Sequence, residues 1–156
     1  MVKISNRVSR ILPSGTLAMT QKARELKAKG RKVISLSIGE PDFNTPDQIT
    51  DAAITALRSH ETDHYTPALG LDSLRQAICD YHYRRDGIRL DKNQVATFSG
   101  AKFALYSVFM TLVDAGDEVL IPEPYYTNYE SFLKTAEAVL VPIETSIENH
   151  YHLPEK

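Results

Sequence analysis

The second half of the sequence alternates between short apolar runs and longer helix-forming segments. The short runs are rich in branched residues, which favour strands, whereas good helix formers fill the longer segments. We predict strands at 94–98, 117–122 and 138–143, with helices at 101–113 and 126–136 between them. Strands that alternate with helices are typical of βαβ units in a largely parallel sheet. The chain is therefore predicted to have an α/β fold, with part of a mostly parallel sheet.

The N-terminal region is predicted to contribute a helical arm before this sheet. Residues 13–30 favour a helix, with Ser14 or Thr16 as its cap and Gly30 at its stop. The polar character of most faces of this helix indicates that it lies against another surface. Residues 32–39 are apolar and β-branched, and we predict a strand there.

Two more helices are predicted between the arm and the alternating region. Thr45-Pro46-Asp47-Gln48 fits a capping box, and the helix it opens should end at about Arg58. Residues 60–70 are expected to be a loop, because proline and glycine punctuate them. A helix ending at Gly87 follows, with one apolar face formed by Leu71, Leu74, Ile78 and Tyr81.

Composition excludes several classes of protein. Hydrophobic residues make up 42% and charged residues 24% of 156 residues, which is ordinary for a globular domain. A formal net charge of -2 gives no basic field for nucleic acid or an anionic membrane surface. The single cysteine favours a reducing, cytoplasmic setting. The N-terminus lacks the apolar stretch of a signal peptide, and the apolar segment 103–113 predicts a buried helix too short to span a bilayer.

Three stretches have the residue types of a ligand site, although each also fits an ordinary turn. Ser99-Gly100-Ala101-Lys102 lies where a strand runs into a helix, and a helix N-terminus offers N–H groups to a phosphate. Tyr125 or Tyr126 follows a strand and could stack on a flat ligand, because ligands gather at the carboxyl ends of parallel strands. Gly39 ends a predicted strand and could offer its N–H to a carboxylate.

Two histidine pairs raise the possibility of a metal site. His60-Glu61-Thr62-Asp63-His64 matches the H-E-x-x-H pattern of zinc hydrolases, which requires a helix. The preceding helix is expected to end near Ser59, so we interpret this pattern as polar loop residues. His150 and His152 would share a face only in a strand, and we expect them to be exposed tail residues.

Together these stretches resemble the class I/II aminotransferases, pyridoxal-phosphate enzymes with the aspartate aminotransferase fold. The resemblance rests on "SLSIGEPDFNTP", "HYTPALGLDSLRQAI", "SGAKFAL" and "DEVLIPEPYYTNY", in the order and spacing of that family. The N-terminal "RVSRILPSGTLAMTQKARELKAKGRKVI" also resembles the arm and helix of the family. The resemblance implies an arm at residues 1–32 and the N-terminal portion of the cofactor-binding large domain at residues 33–156.

The resemblance also implies a role for individual residues. Gly100, Ala101 and Lys102 would form the cup for the phosphate of pyridoxal 5'-phosphate, and Tyr126 would stack on its ring, with Tyr125 as the one-residue alternative. Tyr65 would reach across a homodimer interface to the phosphate in the other subunit. The substrate carboxylate would meet the N–H of Gly39, and Thr16 would lie near the substrate.

The resemblance further implies an amino-acid donor, aspartate or a related amino acid, and a 2-oxo acid acceptor such as 2-oxoglutarate. Aspartate is the best guess, but the aromatic, alanine and kynurenine enzymes of the family share these motifs. The family needs a lysine that binds the cofactor covalently, and no lysine of this chain lies in that context, so no catalytic residue is assigned. We expect the 156 residues alone to be inactive. The alternatives are a catalytically inert fold or dimerisation fragment and, more distantly, a zinc hydrolase built on His60 and His64. We expect no nucleic acid or membrane partner.

Overall fold

The computed structural model of the protein describes residues 3–11 and 14–153. In chain order its helices and strands are α1 (Asn6–Ser9), α2 (Gly15–Ala28), α3 (Asp47–Ser59), α4 (Asp72–Asp86), α5 (Ala101–Leu112), β1 (Glu118–Pro122), α6 (Asn128–Ala136) and β2 (Val139–Ile143). The described residues fall into two compact units, one from Met1–Ile38 with Ala101–Lys156 and one from Gly39–Gly100. The division at residue 32, which concerns the arm and the large domain, stays a prediction.

The first unit contains a βαβ arrangement. Strands β1 and β2 are parallel neighbours, with Glu118 opposite Val139 and Pro122 opposite Ile143. Helix α6 connects them, because parallel strands need a crossover rather than a tight turn. The N–H of Ala138 donates to the carbonyl of Leu133 at 3.0 Å and turns the chain from the helix into β2. The predicted α/β character and parallel pairing are confirmed.

The core of this unit is centred on α6. Its Phe132 and Leu133 are buried, as is Ile121 of β1. The ring of Phe132 lies 5.8 Å from that of Phe109 and meets Tyr106 edge-on at 6.0 Å, which joins α6 to α5. This aromatic packing fixes the helix that follows β1, and with it the loop between them.

Helix α5 differs from the prediction of a buried helix. It forms where predicted, but none of its described side chains is buried. Its apolar residues lie all around the helix, whereas α6 contacts only the side that carries Tyr106 and Phe109. Four other apolar residues of the helix, Phe103, Val108, Met110 and Leu112, stay exposed.

Helix α2 confirms the predicted helix in the N-terminal arm. The Ser14 side chain accepts a 3.4 Å hydrogen bond from the N–H of Leu17, so Ser14 rather than Thr16 is the cap. After the helix, Gly30 has φ 76° and donates to the carbonyl of Lys27 at 2.9 Å. Pro13, with which the predicted segment begins, lies outside the described residues.

Two predicted strands are absent from the described residues. Residues 32–39 and 94–98 run without strand pairing, and the sheet of the described chain consists of β1 and β2. A β-branched apolar run becomes a strand only when a neighbouring strand accepts and donates its backbone hydrogen bonds. In the second case the N–H of Thr97 instead donates to the carbonyl of Leu69 in a loop.

The second unit contains α3 and α4. Helix α3 begins at Asp47 with Pro46 at the cap, and no side chain caps it, so the predicted capping box is wrong. Thr45 lies one residue too early to reach the first turn. Helix α4 ends at Gly87, which has φ 69° and donates to Tyr83 at 3.1 Å, as predicted.

The apolar face predicted for α4 is not the buried one. Arg75 and Cys79 are buried, while Leu71, Leu74 and Tyr81 of the predicted face are exposed. Arg75 donates to the carbonyl of Lys92 at 3.0 Å and to the Asp72 carboxylate at 2.5 Å. The turn around Lys92 thus covers the arginine side of the helix, which the apolar pattern does not reveal.

Length and apolarity together argue against a membrane crossing by any helix within residues 3–11 and 14–153.

Candidate functional site

A tight turn leads into α5 at the predicted phosphate-binding stretch. Gly100 has φ 94°, and its N–H donates to the carbonyl of Phe98 at 2.7 Å. Apart from Gly100 itself and its two chain neighbours, no described residue has a heavy atom within 4 Å of the point where a Cβ on Gly100 would be. Helix α5 begins at the next residue, Ala101, and the N–H groups of a first turn have no helical acceptor. The turn offers open backbone and a helix N-terminus, which together suit a phosphate.

Tyr126 lies in the loop between β1 and α6 and is about half exposed. Its ring and that of Tyr129 meet at 90° with centroids 5.8 Å apart. The N–H of Tyr129 donates to the Tyr126 carbonyl at 3.0 Å, so the first residues of α6 fix the backbone here. A ring held in this way and still accessible can stack on a flat ligand.

The neighbouring Tyr125 has a different environment. Its hydroxyl donates to the Glu130 carboxylate at 3.5 Å, and it lines a cavity of about 550 Å³ with Glu123, Pro124 and Thr127 among others. Burial, followed by the negative charges of Glu130 and Glu123, raises the pKa of Tyr125. Tyr125 is thus engaged within its own loop, which leaves Tyr126 the better stacking residue.

Thr16 lies in the first turn of α2, where its carbonyl accepts from the Thr20 hydroxyl at 2.8 Å. It borders a cavity of about 420 Å³ whose other walls include Thr127, Asn128 and Glu130. The arm and the loop that carries Tyr126 therefore face one cavity within the first unit. Within the first unit, the structure thus brings Thr16, a predicted substrate residue, close to the β1–α6 connection.

Gly39 lies in a segment without regular secondary structure before α3 rather than at the end of a strand. Within the described residues, nothing lies within 4 Å of the point where a Cβ would be on Gly39. Its backbone is therefore accessible to a small ligand. Its predicted contact with a substrate carboxylate remains a prediction.

Tyr65 is fully exposed on the loop between α3 and α4. Helix α3 ends at Ser59, and His60 takes φ 59°, which turns the chain into this loop. The loop closes with the N–H of Gly70 donating to the carbonyl of Pro67 at 2.9 Å. A fully exposed side chain is free to meet another molecule, as the resemblance implies.

Thr97 is a residue of interest that the sequence does not reveal. Its N–H and its hydroxyl both donate to the carbonyl of Leu69, at 2.9 and 3.3 Å. Gly70 has φ 103°, and a Cβ there would overlap the Thr97 hydroxyl and lie 3.1 Å from its Cβ. Periodicity marks Thr97 as a strand residue and gives no indication of a partner so far back in the chain.

The zinc pattern does not have the helix that it requires. His60 is the C-cap that follows α3 and lies in the left-handed region, so His60 and His64 do not lie one turn apart on a helix. The Nδ1 atom of His60 instead lies 2.6 Å from the Asp63 carboxylate. Residues 3–11 and 14–153 contain no group of three or more His, Cys, Asp or Glu side chains placed to hold a metal. His150 has φ 55°, so it and His152 are exposed residues of a turn rather than of a strand.

The candidate residues are divided between the two units. Thr16, Ala101, Lys102 and Tyr126 belong to the first unit. Gly39, Tyr65 and Gly100 belong to the second unit, where Thr97 connects the segment before Gly100 to the loop of Tyr65. Their roles in binding remain predictions.

Comparison with protein families gives one match. A family model described as "Aminotransferase class I and II" matches residues 31–154. This range contains every candidate site residue except Thr16.

Relatives of similar sequence carry related names. The aspartate aminotransferase of Geobacillus stearothermophilus is 46% identical over 156 residues, which cover 99% of this chain and 39% of the relative. The asparagine–oxo-acid transaminase of Streptococcus mutans is 41% identical, with 97% of this chain and 38% of the relative covered. The chain thus spans about two fifths of the length of these relatives.

A solved structure of similar fold is the aspartate aminotransferase of Thermus thermophilus with maleate. It superposes with a TM-score of 0.90 and 35% identity, over 99% of this chain and 40% of that one. The folds of the two units described above are therefore those of a known enzyme architecture.

Proposed function

We propose, because this chain belongs to the class I and II aminotransferase family, that the protein transfers an amino group from an L-amino acid to a 2-oxo acid. The observation that carries the proposal is the family match over residues 31–154. Aspartate is the proposed donor, since similar proteins are named aspartate aminotransferases, and 2-oxoglutarate is the proposed acceptor. The chain covers about 40% of these relatives, so the activity is proposed for the whole protein.

The family depends on pyridoxal 5'-phosphate, and the residues present fit this cofactor. Gly100 leaves open the place that a Cβ would fill, directly before the N-terminus of α5. A phosphate dianion is stabilised by oriented N–H groups and by the positive end of a helix. Gly100, Ala101 and Lys102 would therefore hold the phosphate, and the cationic side chain of Lys102 adds favourable charge.

The half-exposed ring of Tyr126 would hold the plane of the cofactor ring. When bound, the cofactor supplies an electron sink for the bond that breaks at the amino-acid Cα. Tyr126 contributes by orienting the cofactor ring, because the bond at the amino-acid Cα must be perpendicular to the plane of that ring in order to break. Its contact with Tyr129 at 5.8 Å supports a fixed ring orientation.

The substrate would be held by groups at its carboxylate end. The accessible N–H of Gly39 is the proposed donor to this carboxylate, because the two carboxylate oxygens readily accept hydrogen bonds from backbone N–H groups. Thr16, in the first turn of α2, would border the substrate from the arm side. These residues bind and orient, while the proton transfer needs a lysine that this chain does not place in the family context.

Tyr65 would serve the second subunit of a homodimer. Its complete exposure supports a contact with another molecule, and its hydroxyl can donate to a phosphate oxygen. A cytoplasmic location is proposed along with the dimer, since the single thiol, Cys79, fits a reducing compartment.

Titration with pyridoxal 5'-phosphate and with pyridoxal tests the proposal. Saturable binding that needs the phosphate supports the cofactor site, and Tyr65→Phe should weaken it about tenfold to a hundredfold, because hydrogen bonds to charged groups contribute about 1.5–3 kcal/mol. Tyr151→Phe, at another exposed tyrosine, is the matched control. Oligomers in light scattering without phosphate-dependent binding would instead identify an inert assembly fragment.

A further inference from the structure

The loop that carries Tyr65 is held in place by contacts at its two ends and not by packing of the Tyr65 side chain. Tyr65 itself is fully exposed, so packing does not set the direction of its ring. At the start of the loop, the turn at His60 and its contact with Asp63 fix the exit from α3. At the end of the loop, the carbonyl of Leu69 is the anchoring group.

Thr97 supplies both hydrogen bonds to that carbonyl. Its N–H donates at 2.9 Å and its hydroxyl at 3.3 Å, so one residue occupies both acceptor positions of a single oxygen. The hydroxyl is therefore a separable part of the anchor, because a substitution can remove it and keep the N–H.

Gly70 makes the close approach possible. Any side chain at this position would collide with the Thr97 hydroxyl, and φ 103° is a conformation that L residues rarely adopt. Gly70 and Thr97 thus form a fitted pair, in which the missing side chain of one admits the hydroxyl of the other.

The same threonine lies just before the turn at Gly100. Thr97 is followed by Phe98, whose carbonyl accepts from the N–H of Gly100 at 2.7 Å. The short segment 97–100 therefore carries both the hydrogen bonds that anchor the Tyr65 loop and the turn at Gly100, which we call the phosphate turn. All of these contacts lie within the second unit.

We propose that Thr97 is a positioning residue that fixes the Tyr65 loop relative to the phosphate turn, and so sets where the Tyr65 hydroxyl can meet a phosphate. This inference rests on the proposed function of Tyr65 and names the residue that supports it. Gly100 is proposed to bind the phosphate of its own subunit, and Tyr65 that of the other subunit. Thr97 therefore fixes the distance between these two phosphate-binding groups of one chain.

The first experiment examines the anchor without any ligand. Thr97→Val removes the hydroxyl but keeps the β-branched shape and the N–H, and Thr97→Ser keeps the hydroxyl. Amide hydrogen exchange at positions 70 and 97, corrected for the intrinsic rate of each residue type, should be about threefold to tenfold faster in Thr97→Val, as loss of one hydrogen bond predicts. Exchange should be unchanged in Thr97→Ser, and the amide of Gly87 at the end of α4 is the internal control. Unchanged exchange in Thr97→Val overturns the inference, whatever the cofactor does.

The second experiment examines the consequence for phosphate recognition. Pyridoxine 5'-phosphate and pyridoxine are the probes, because neither has an aldehyde that reacts with surface lysines. Thr97→Val should weaken binding of the phosphate ester about threefold to tenfold and leave pyridoxine binding unchanged. A residue that serves only stability would lower both affinities, and that result overturns the positioning role.

A double-mutant cycle separates this inference from the proposed function. Tyr65→Phe should weaken phosphate binding in the unaltered protein and have little further effect in the Thr97→Val variant. Fully additive effects overturn the coupling between the two residues. If Tyr65→Phe has no effect in the unaltered protein, the proposed role of Tyr65 fails and the positioning role fails with it, while the exchange rates still report on the anchor itself.

Discussion

The guanidinium of Arg10 donates a hydrogen bond of 3.1 Å to the carboxylate of Glu137, which lies 127 residues further along the chain. This contact joins the segment before α2 to the C-cap residue that follows α6. The hydrogen bond first, and the opposite charges next, raise the pKa of Arg10 and lower the pKa of Glu137. Both side chains remain about half exposed, so the solvent screens much of their attraction.

The backbone of Glu137 predicts how this position responds to substitution. Glu137 has φ 63°, a conformation that costs energy for any residue with a Cβ. Glu137→Gly loses the ion pair but relieves this strain, and we expect the urea midpoint to rise slightly. Glu137→Gln and the matched Arg10→Met should lower it slightly, because they lose the charge pair and keep the strain. A midpoint for Glu137→Gly below that of Glu137→Gln would contradict this account.

Gly70→Ala should destabilise the protein more than Gly87→Ala. Both glycines have positive φ, but only a Cβ on Gly70 would collide with Thr97. We expect Gly70→Ala to lower the free energy of unfolding by about 1–3 kcal/mol beyond the effect of Gly87→Ala, which isolates the cost of the collision. Urea unfolding followed by circular dichroism measures both. If the two variants lose the same free energy of unfolding, Thr97 can move away from the added Cβ without a measurable loss of stability.

Substitutions at the two adjacent tyrosines should have different effects on ligand binding. Tyr126→Ala should weaken binding of pyridoxine 5'-phosphate about threefold to tenfold, the loss expected for one aromatic pair. Tyr126→Phe should bind normally, since stacking needs the ring and not the hydroxyl. Tyr125→Ala, which removes the neighbouring ring together with the hydroxyl bonded to Glu130, is the matched control and should bind normally. The reverse order of effects would move the stacking role to Tyr125.

Asp72 should make stability depend on pH in the acid range. Hydrogen bonds from Lys92 and then Arg75 lower the pKa of Asp72 from 3.8 to about 2. A carboxyl whose pKa is lowered on folding stabilises the protein above pH 3.8, and this contribution disappears as the pH falls through about 2. Lys92→Met should therefore raise the pKa of Asp72, measured by carbon-13 NMR of its carboxyl group. Lys134→Met, which removes a lysine paired with Glu130 instead, should leave this pKa unchanged.

Local signals account for the parts of the fold that were predicted correctly. Ser14, Gly30 and Gly87 mark helix ends through caps and left-handed geometry, which depend on neighbouring residues only. The strand–helix–strand order over 117–143 has the same local origin, because β1 and β2 find each other through one intervening helix.

Apart from the capping box at residues 45–48, the wrong predictions of the fold concern contacts with residues distant in the sequence. Residues 32–39 have a strand pattern, but a strand also needs a neighbour, and none pairs with them within the described chain. Arg75 is buried because the turn near Lys92 covers it, and no periodicity reveals that contact. Thr97 was missed as a site residue for the same reason, since its role depends on Leu69 and Gly70.

The roles predicted for the site residues rest on a resemblance to a family and not on the residue pattern alone. Gly100 and Tyr126 occupy settings that fit their implied roles, a helix N-terminus and an accessible ring. The H-E-x-x-H pattern shows the opposite case, because its spacing is right but His60 already belongs to the turn. The spacing of a motif predicts a metal or ligand site only where the chain has the secondary structure that the motif requires.

The βαβ unit also bears on the order in which the chain acquires structure. The paired residues of β1 and β2 are separated by little more than α6 and two turns, so their pairing closes a short loop. The contact between Arg10 and Glu137 closes a loop of almost the whole chain, which costs more entropy and slows its formation. During synthesis and refolding alike, the strands and α6 would thus assemble first and present a finished surface onto which the N-terminal segment docks last.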